Sequence, residues 1–316
     1  MQIPMKDSGR GARVRGDGFA ILASLLWGIN YPLVKLVLEF VPENDFLIIR
    51  FSLATFLFAS YLAISGETFR IAKEDFFRVL ILGILGVGVY NIIWTYGIHR
   101  TTAANAAILI SASPIFTGIY SLLTGDEKIS LSKWLGTIMA FAGICTIIYW
   151  TPGSQFSLES RVFVGNILVV LGSLLFSMYA VLAKPLLQRY SPTKLTTLAM
   201  ILGLPIILIY SMSEDHAITL SYGLMIWSGF AYIIVLGTMI AFIFWYKGIQ
   251  QTSPFKTVIF HYIVPVVSMI TGSIFLGEPI NYERVLGGIM VFAGLLAVKW
   301  DGTFIKKRIG KFKLGQ

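Results

Sequence analysis

Residues 135–143 spell LGTIMAFAG and residues 286–294 spell LGGIMVFAG, nearly the same nine residues at an offset of 151. Carried backward at that offset, the match pairs Trp94 with Trp245, Gly97 with Gly248, Thr101 with Thr252, Pro114 with Pro265 and Glu127 with Glu278. At an offset of 149, Ser24-Leu25-Leu26 meets Ser173-Leu174-Leu175, Trp27 meets Phe176, and Lys35 meets Lys184. The chain is a duplication, and the nature of the duplicated unit decides the fold.

Composition identifies that unit's solvent. Of 316 residues, 56% are hydrophobic and 13% charged, against roughly half apolar and a quarter charged in a soluble domain. Mean hydropathy is +0.77. Apolar runs of about 20 residues, each able to cross ~30 Å of hydrocarbon, lie near 18–38, 45–65, 77–97, 102–124, 131–150, 162–184, 193–212, 221–246, 254–276 and 281–300. The first follows Arg10, Arg13 and Arg15 but runs from Gly18 to Leu38, longer than the ~7–15 residues of a signal-peptide core, and is expected to be retained. The expected fold is an all-α integral membrane protein of ten transmembrane helices. Its expected organisation is an N-terminal segment (1–17), a first five-helix repeat (18–150), a connecting loop (151–161), a second repeat (162–300) and a basic tail (301–316).

Charge sets the direction. With ten spans both termini share a side, and twenty of the 25 Lys and Arg residues fall there, Arg70, Lys128, Arg189, Lys256 and the tail IKKRIGKFKLGQ among them. Positive residues resist translocation, so both termini are expected in the cytoplasm. The excess of +9 needs no nucleic acid to explain it, because orientation and attraction to anionic headgroups account for it. Five spans per copy is an odd number, so the copies enter the bilayer from opposite faces. This is an inverted repeat, which supplies inward-open and outward-open states of similar energy around a midplane site.

These residues resemble the ten-helix, EamA-type branch of the drug/metabolite transporter superfamily. The resemblance is carried by LLWGINYPLVKL (25–36), IIRFSLA (48–54), WTYGIHRTTAANAAILISASPIF (94–116), and the Glu127 turn with LGTIMAFAG and their second copies. It covers nearly the whole chain and implies an exporter of amino acids or similar small metabolites from a bacterial cytoplasm; the protein is expected in the inner or plasma membrane and functional as a monomer. A multidrug or lipid-type transporter of the same fold stays open. So does an integral-membrane enzyme on lipid-linked substrates, although that needs clustered acids or histidines near one face and the sequence shows none.

No acid falls at the centre of a span, which removes support from an intramembrane aspartyl protease and from a carboxylate proton carrier. No GxxxxGK[ST] phosphate loop occurs, so energy comes from a gradient or from the substrate itself. One cysteine, Cys145, read as a small core residue, and three histidines without HExxH spacing argue against a metal site; no cofactor is expected. His261 is the ionisable residue nearest mid-span, either a hydrogen-bonded core residue or a cavity group. Trp27, Asn30, Tyr90, Asn91, Ser111, Ser113, Tyr179 and Tyr262 share its depth. Together they form a candidate substrate lining, with amide, hydroxyl and imidazole groups for a polar head and aromatic faces for an apolar part. Cross-helix hydrogen bonding is the competing role for several of them.

Trp94 and Trp245, near span ends, are expected in the interfacial belt. Lys35 either snorkels to headgroups or draws a substrate carboxylate to the outer mouth. Arg50, a charged-rim residue with Lys35, is expected to pair with Glu39, Glu43 or Asp45. Pro114 and Pro265 are expected to kink matching helices and serve as hinges. Glu127, Glu278, Ser130 and Asn281 read as caps of the helices that follow them. Small residues at Ala20, Ser24 and Gly28, and at Ala103, Ala107 and Ser111, recur every four positions and permit close packing.

Overall fold

The computed structural model of the chain describes residues 10–123, 131–150, 160–212 and 218–299, and all regular structure among them is helical. We number the helical segments α1 (Arg10–Leu38), α2 (Glu43–Ile64), α3 (Lys73–Arg100), α4 (Ala103–Ile110 and Ser113–Leu123) and α5 (Leu131–Tyr149). The second set is α6 (Arg161–Leu187), α7 (Pro192–Ser211), α8 (Leu224–Gln251), α9 (Pro254–Leu276) and α10 (Tyr282–Lys299). Among the described residues eight segments, α1 to α4 and α6 to α9, are long and apolar enough to cross a bilayer. The apolar stretches of α5 and α10 are shorter, Trp134–Gly143 and Val285–Gly294.

The large contacts run between the two halves. α1 packs on α8 and α9, while α6 packs on α3 and α4; α2 lies against α7, and α5 against α10. Exchanging the halves converts each pairing into another member of the same set. Without a hydrophobic force between helices in lipid, these contacts rest on close approach. The opening motif finds its role here: a Cβ on Gly294 would sit 2.4 Å from the Gly136 carbonyl oxygen, so the two copies of the nine-residue sequence pack on each other. Outward faces stay apolar, with Phe56, Phe77, Ile209 and Ile274 exposed. Cys145 also faces outward rather than into the core, because α5 has only part of its circumference covered.

Two features depart from uniform helix at matching places. α4 breaks at Ser111 and Ala112, and α9 tightens into a 3-10 turn at Ile259–Tyr262. Each irregularity directly precedes its proline, Pro114 or Pro265, whose ring can neither donate to nor accommodate the carbonyl four residues back. In α3 the segment Ile84–Val89 is a π-helix, as is Tyr232–Ile240 in α8. Shifted by 151, the first range falls inside the second. π turns occur mostly as short insertions within α-helices, frequently at functional sites, and hydropathy patterns do not reveal them.

At the bundle end where α1 finishes, three carboxylates have partners. Glu43 accepts from His99 Nδ1 at 2.7 Å and Arg100 Nη1 at 3.0 Å. Asp45 accepts from the Thr219 amide at 3.2 Å and the Tyr222 hydroxyl at 3.1 Å; burial, with the neighbouring Asp45 charge, pushes the Tyr222 phenol up to about 12 and keeps it a donor. Glu278 accepts from the amides of Ala103 at 2.9 Å and Ala104 at 3.3 Å. It therefore caps α4 rather than the α10 that follows it, because the turn after α9 folds back over the α4 N-terminus. Glu127 and Ser130 lie outside the described residues. At the opposite end Arg189 bridges Glu74 and Asp75, the latter at 2.9 Å.

Candidate functional site

α1, α2 and α3 of the first half and α6, α8 and α9 of the second converge on a narrow cavity, with about 360 Å³ of unfilled space when the open solvent at its mouth is included. Its lining is Trp27, Asn30 and Tyr31 from α1, Arg50 from α2, Tyr90, Asn91 and Trp94 from α3, Phe176 from α6, Phe242 from α8 and His261 from α9. Five of the nine residues expected to contact substrate are here: Trp27, Asn30, Tyr90, Asn91 and His261.

The other four are placed elsewhere. Ser111 turns back on its own helix, donating to the Ala107 carbonyl at 3.0 Å. Ser113 stands behind His261, Oγ to Nδ1 3.4 Å, and its carbonyl accepts from Ser177 at 2.8 Å. Tyr179 stacks on Tyr246 with ring centroids 5.4 Å apart and lies against Gly86, where a Cβ would fall 1.8 Å from its ring. Tyr262 is fully buried away from the cavity. Rotation about the helix axis turns these four away from the lining.

The π segments shape the walls. Trp27 Nε1 donates to the Gly237 carbonyl at 2.9 Å, and Asn91 Nδ2 to the Val87 carbonyl at 2.9 Å; both acceptors lie within π turns. Asn30 Oδ1 rests on Gly237, where a Cβ would approach it to 2.2 Å. Thr238 Oγ1 donates to the Ile233 carbonyl, five residues back, at 2.8 Å. Aromatic rings fill the remainder. Trp27 meets Phe176, Phe242, Trp245 and His261 at centroid distances of 5.8, 5.4, 5.0 and 5.2 Å, and His261 stacks on Phe176 at 4.8 Å. His261 thus has both a hydrogen-bonding neighbour and a cavity face.

Three sequence expectations are corrected. Trp94 and Trp245 are 3% and 0% exposed, so neither lies in an interfacial belt; Trp94 Nε1 donates to Tyr31 Oη at 3.2 Å. Arg50 is not at the rim. It is 3% exposed, its Nε and Nη2 both donate to Thr238 Oγ1 at 3.1 Å, and its guanidinium carbon lies 4.9 Å from the Phe51 ring centroid and 5.6 Å from that of Trp94. Glu43 and Asp45, two of its expected partners, are bound to the groups named above. Lys35 neither snorkels nor faces a mouth: Nζ donates to the carbonyls of His99 at 2.8 Å, Thr101 at 2.6 Å and Ile98 at 3.4 Å. An ammonium suits the negative end of α3. Lys35→Met is expected to cost about 1–3 kcal/mol by stranding those carbonyls while leaving solute affinity unchanged; thermal melting beside a binding titration checks both.

Tyr31, Trp94, Phe176 and Phe242 were absent from the expected lining. The repeat carried a signal for two of them, since the offsets that align the halves take Trp27 to Phe176 and Asn91 to Phe242. Among the described residues no three His, Cys, Asp or Glu side chains converge as a metal site would require.

Comparison with known proteins agrees with the two-half packing. The profile of the EamA-like transporter family matches residues 14–149 and again residues 163–300. An uncharacterized transporter of Archaeoglobus fulgidus is 30% identical over 277 residues, 88% of this chain and 96% of its own. The uncharacterized transporters YyaM and YetK of Bacillus subtilis are 24% and 26% identical, over 86% and 90% of this chain and 90% and 86% of theirs. One solved structure superposes with a TM-score of 0.71 over 93% of this chain and 98% of its own at 15% identity, a likeness of fold alone.

Proposed function

This chain belongs to the EamA-like transporter family, and from that premise we propose that it exports amino acids or similarly sized metabolites by alternating access. It is a transporter and not an enzyme, a multi-pass membrane protein whose helices meet lipid on their outer faces. The proposed mechanism treats α1 to α5 and α6 to α10 as inverted repeats that rock about the shared cavity, with the irregularities before Pro114 and Pro265 absorbing the change in backbone angles. Both termini are cytoplasmic in this reading, on the strength of the Lys and Arg distribution, and a monomer contains the whole pathway.

One observation carries the proposal: the cavity takes its walls from both halves, so any movement of one half against the other remodels it. A carrier built this way saturates and exchanges, whereas an open pore does neither. In proteoliposomes preloaded with an unlabelled amino-acid mixture, external labelled solute should accumulate transiently by counterflow. Linear, unsaturable entry without counterflow would show a channel, and absence of any amino-acid flux would remove the proposed substrates.

A further inference from the structure

We propose that the cavity recognises its solute as a monocarboxylate, held by the free edge of Arg50, with an apolar or aromatic body lying on the Trp27, Tyr90, Phe176 and Phe242 rings. This rests on the carrier reading and narrows its solute, within the similarly sized metabolites, to carboxylates that lack an ammonium, with amino acids as the weaker ligands.

The guanidinium is the cavity's fixed charge, and it has only half its fork engaged. Nε and Nη2 share a single acceptor, Thr238 Oγ1, while Nη1 is buried with no partner among the described residues. A buried cation without a counter-ion is costly, and arginine kept in that condition favours an anion that can take its remaining donors. Among the described residues no carboxylate pairs with it. The phenols of Tyr31 and Tyr90 lie near Arg50, His261 lines the same cavity, and the lining contains no Asp or Glu among the described residues.

That same lining defines the ligand's charge. One cation, with no second Lys or Arg in the wall among the described residues, balances a monoanion and leaves a phosphate dianion undercompensated. A zwitterion's ammonium would find ring faces and neutral amide oxygen but no carboxylate. The second half offers no equivalent charge, because the offset of 149 takes Arg50 to Ala199. The carboxylate therefore sits off the pseudo-symmetric centre, toward α2 and α8, and the body of the solute extends toward Phe176 and His261.

Hydrocinnamate, hydrocinnamamide, phenylalanine and phenyl phosphate are suitable probes, since they differ at the charged end. Binding to the purified full-length protein can be read by intrinsic fluorescence, Trp27 and Trp94 being in the wall, and by thermal stabilisation. Hydrocinnamate should bind more tightly than the amide, the amino acid and the phosphate, and Arg50→Gln should weaken it about 10- to 100-fold, to the level of the amide. Arg50→Lys keeps the charge but loses the fork and should fall between. Thr238→Val leaves every donor on Arg50 and should retain the preference for carboxylate over amide.

A merely structural Arg50 would change the melting of the ligand-free protein and leave the carboxylate-to-amide ratio as in wild type; that ratio in Arg50→Lys or Arg50→Gln would overturn the proposal. So would equal affinity for acid and amide, or tighter binding of phenylalanine or phenyl phosphate. Carboxylate binding without counterflow would fail the carrier reading alone, and counterflow of neutral or cationic solutes without carboxylate binding would fail this one alone.

Discussion

Gly203→Leu is expected to abolish recovery of folded protein, whereas Gly288→Leu, a change of the same size in another helix, is expected to leave recovery intact. A Cβ on Gly203 would lie 2.4 Å from the Gly83 carbonyl oxygen and 2.8 Å from the Val87 side chain, and the reciprocal Cβ on Gly83 would meet the Ala199 carbonyl at 2.7 Å. α3 and α7 thus touch backbone to backbone. Overpacking ordinarily costs about 1–3 kcal/mol because neighbouring side chains can shift; here the obstacle is main chain, and relief requires moving α3 away from α7. That displacement would reach the π segment at Ile84–Val89 and the cavity wall beyond it. Gly288 has nothing within 4 Å, so a leucine there projects into open space. Detergent extraction followed by size-exclusion profiles and melting of the two variants compares them directly; a monodisperse Gly203→Leu protein melting like wild type would refute the backbone contact.

Trp27→Ala should be the most damaging single change within the cavity. The indole is 7% exposed, contacts Phe176, Phe242, Trp245 and His261, and donates to the Gly237 carbonyl at 2.9 Å. Truncating a buried aromatic typically costs about 3–5 kcal/mol, and in this wall it also removes the surface on which four rings converge. Solute affinity should collapse together with stability. Trp27→Phe separates the two contributions, since it keeps most ring contacts and loses the hydrogen bond, a loss of about 1 kcal/mol. Transport by Trp27→Phe should persist at reduced affinity. If Trp27→Ala melted and transported like wild type, the ring cluster would not be what holds the two halves together.

How legible the site was depended on the kind of information each residue carried. Trp27, Asn30, Tyr90, Asn91 and His261 line the cavity and stand out in the sequence, because a polar or amphipathic side chain at mid-span is conspicuous against apolar neighbours. Ser111 and Tyr262 were conspicuous for the same reason and yet face elsewhere. Arg50 lies near a span end, a position that suggests a rim, but α2 turns that face toward α8, where Thr238 holds it. Trp94 and Trp245 also lie near span ends and are likewise buried. Phe176 and Phe242 were invisible to any rule about polarity, being ordinary phenylalanines in apolar helices, although the repeat offset pointed to both.

The sequence by itself determined the solvent, the helical class and the duplication. A bilayer imposes its thickness and its demand for internal backbone hydrogen bonds on each span separately, so those properties can be read one stretch at a time. Only the tertiary structure decided which face of each helix looks inward, that Lys35 ends on the carbonyls of α3, that the two copies of the opening motif lie on each other, and that Arg50 stands inside the cavity. Rotation about a helix axis in lipid is set by close contacts with neighbours from the other half, and those neighbours lie far away along the chain.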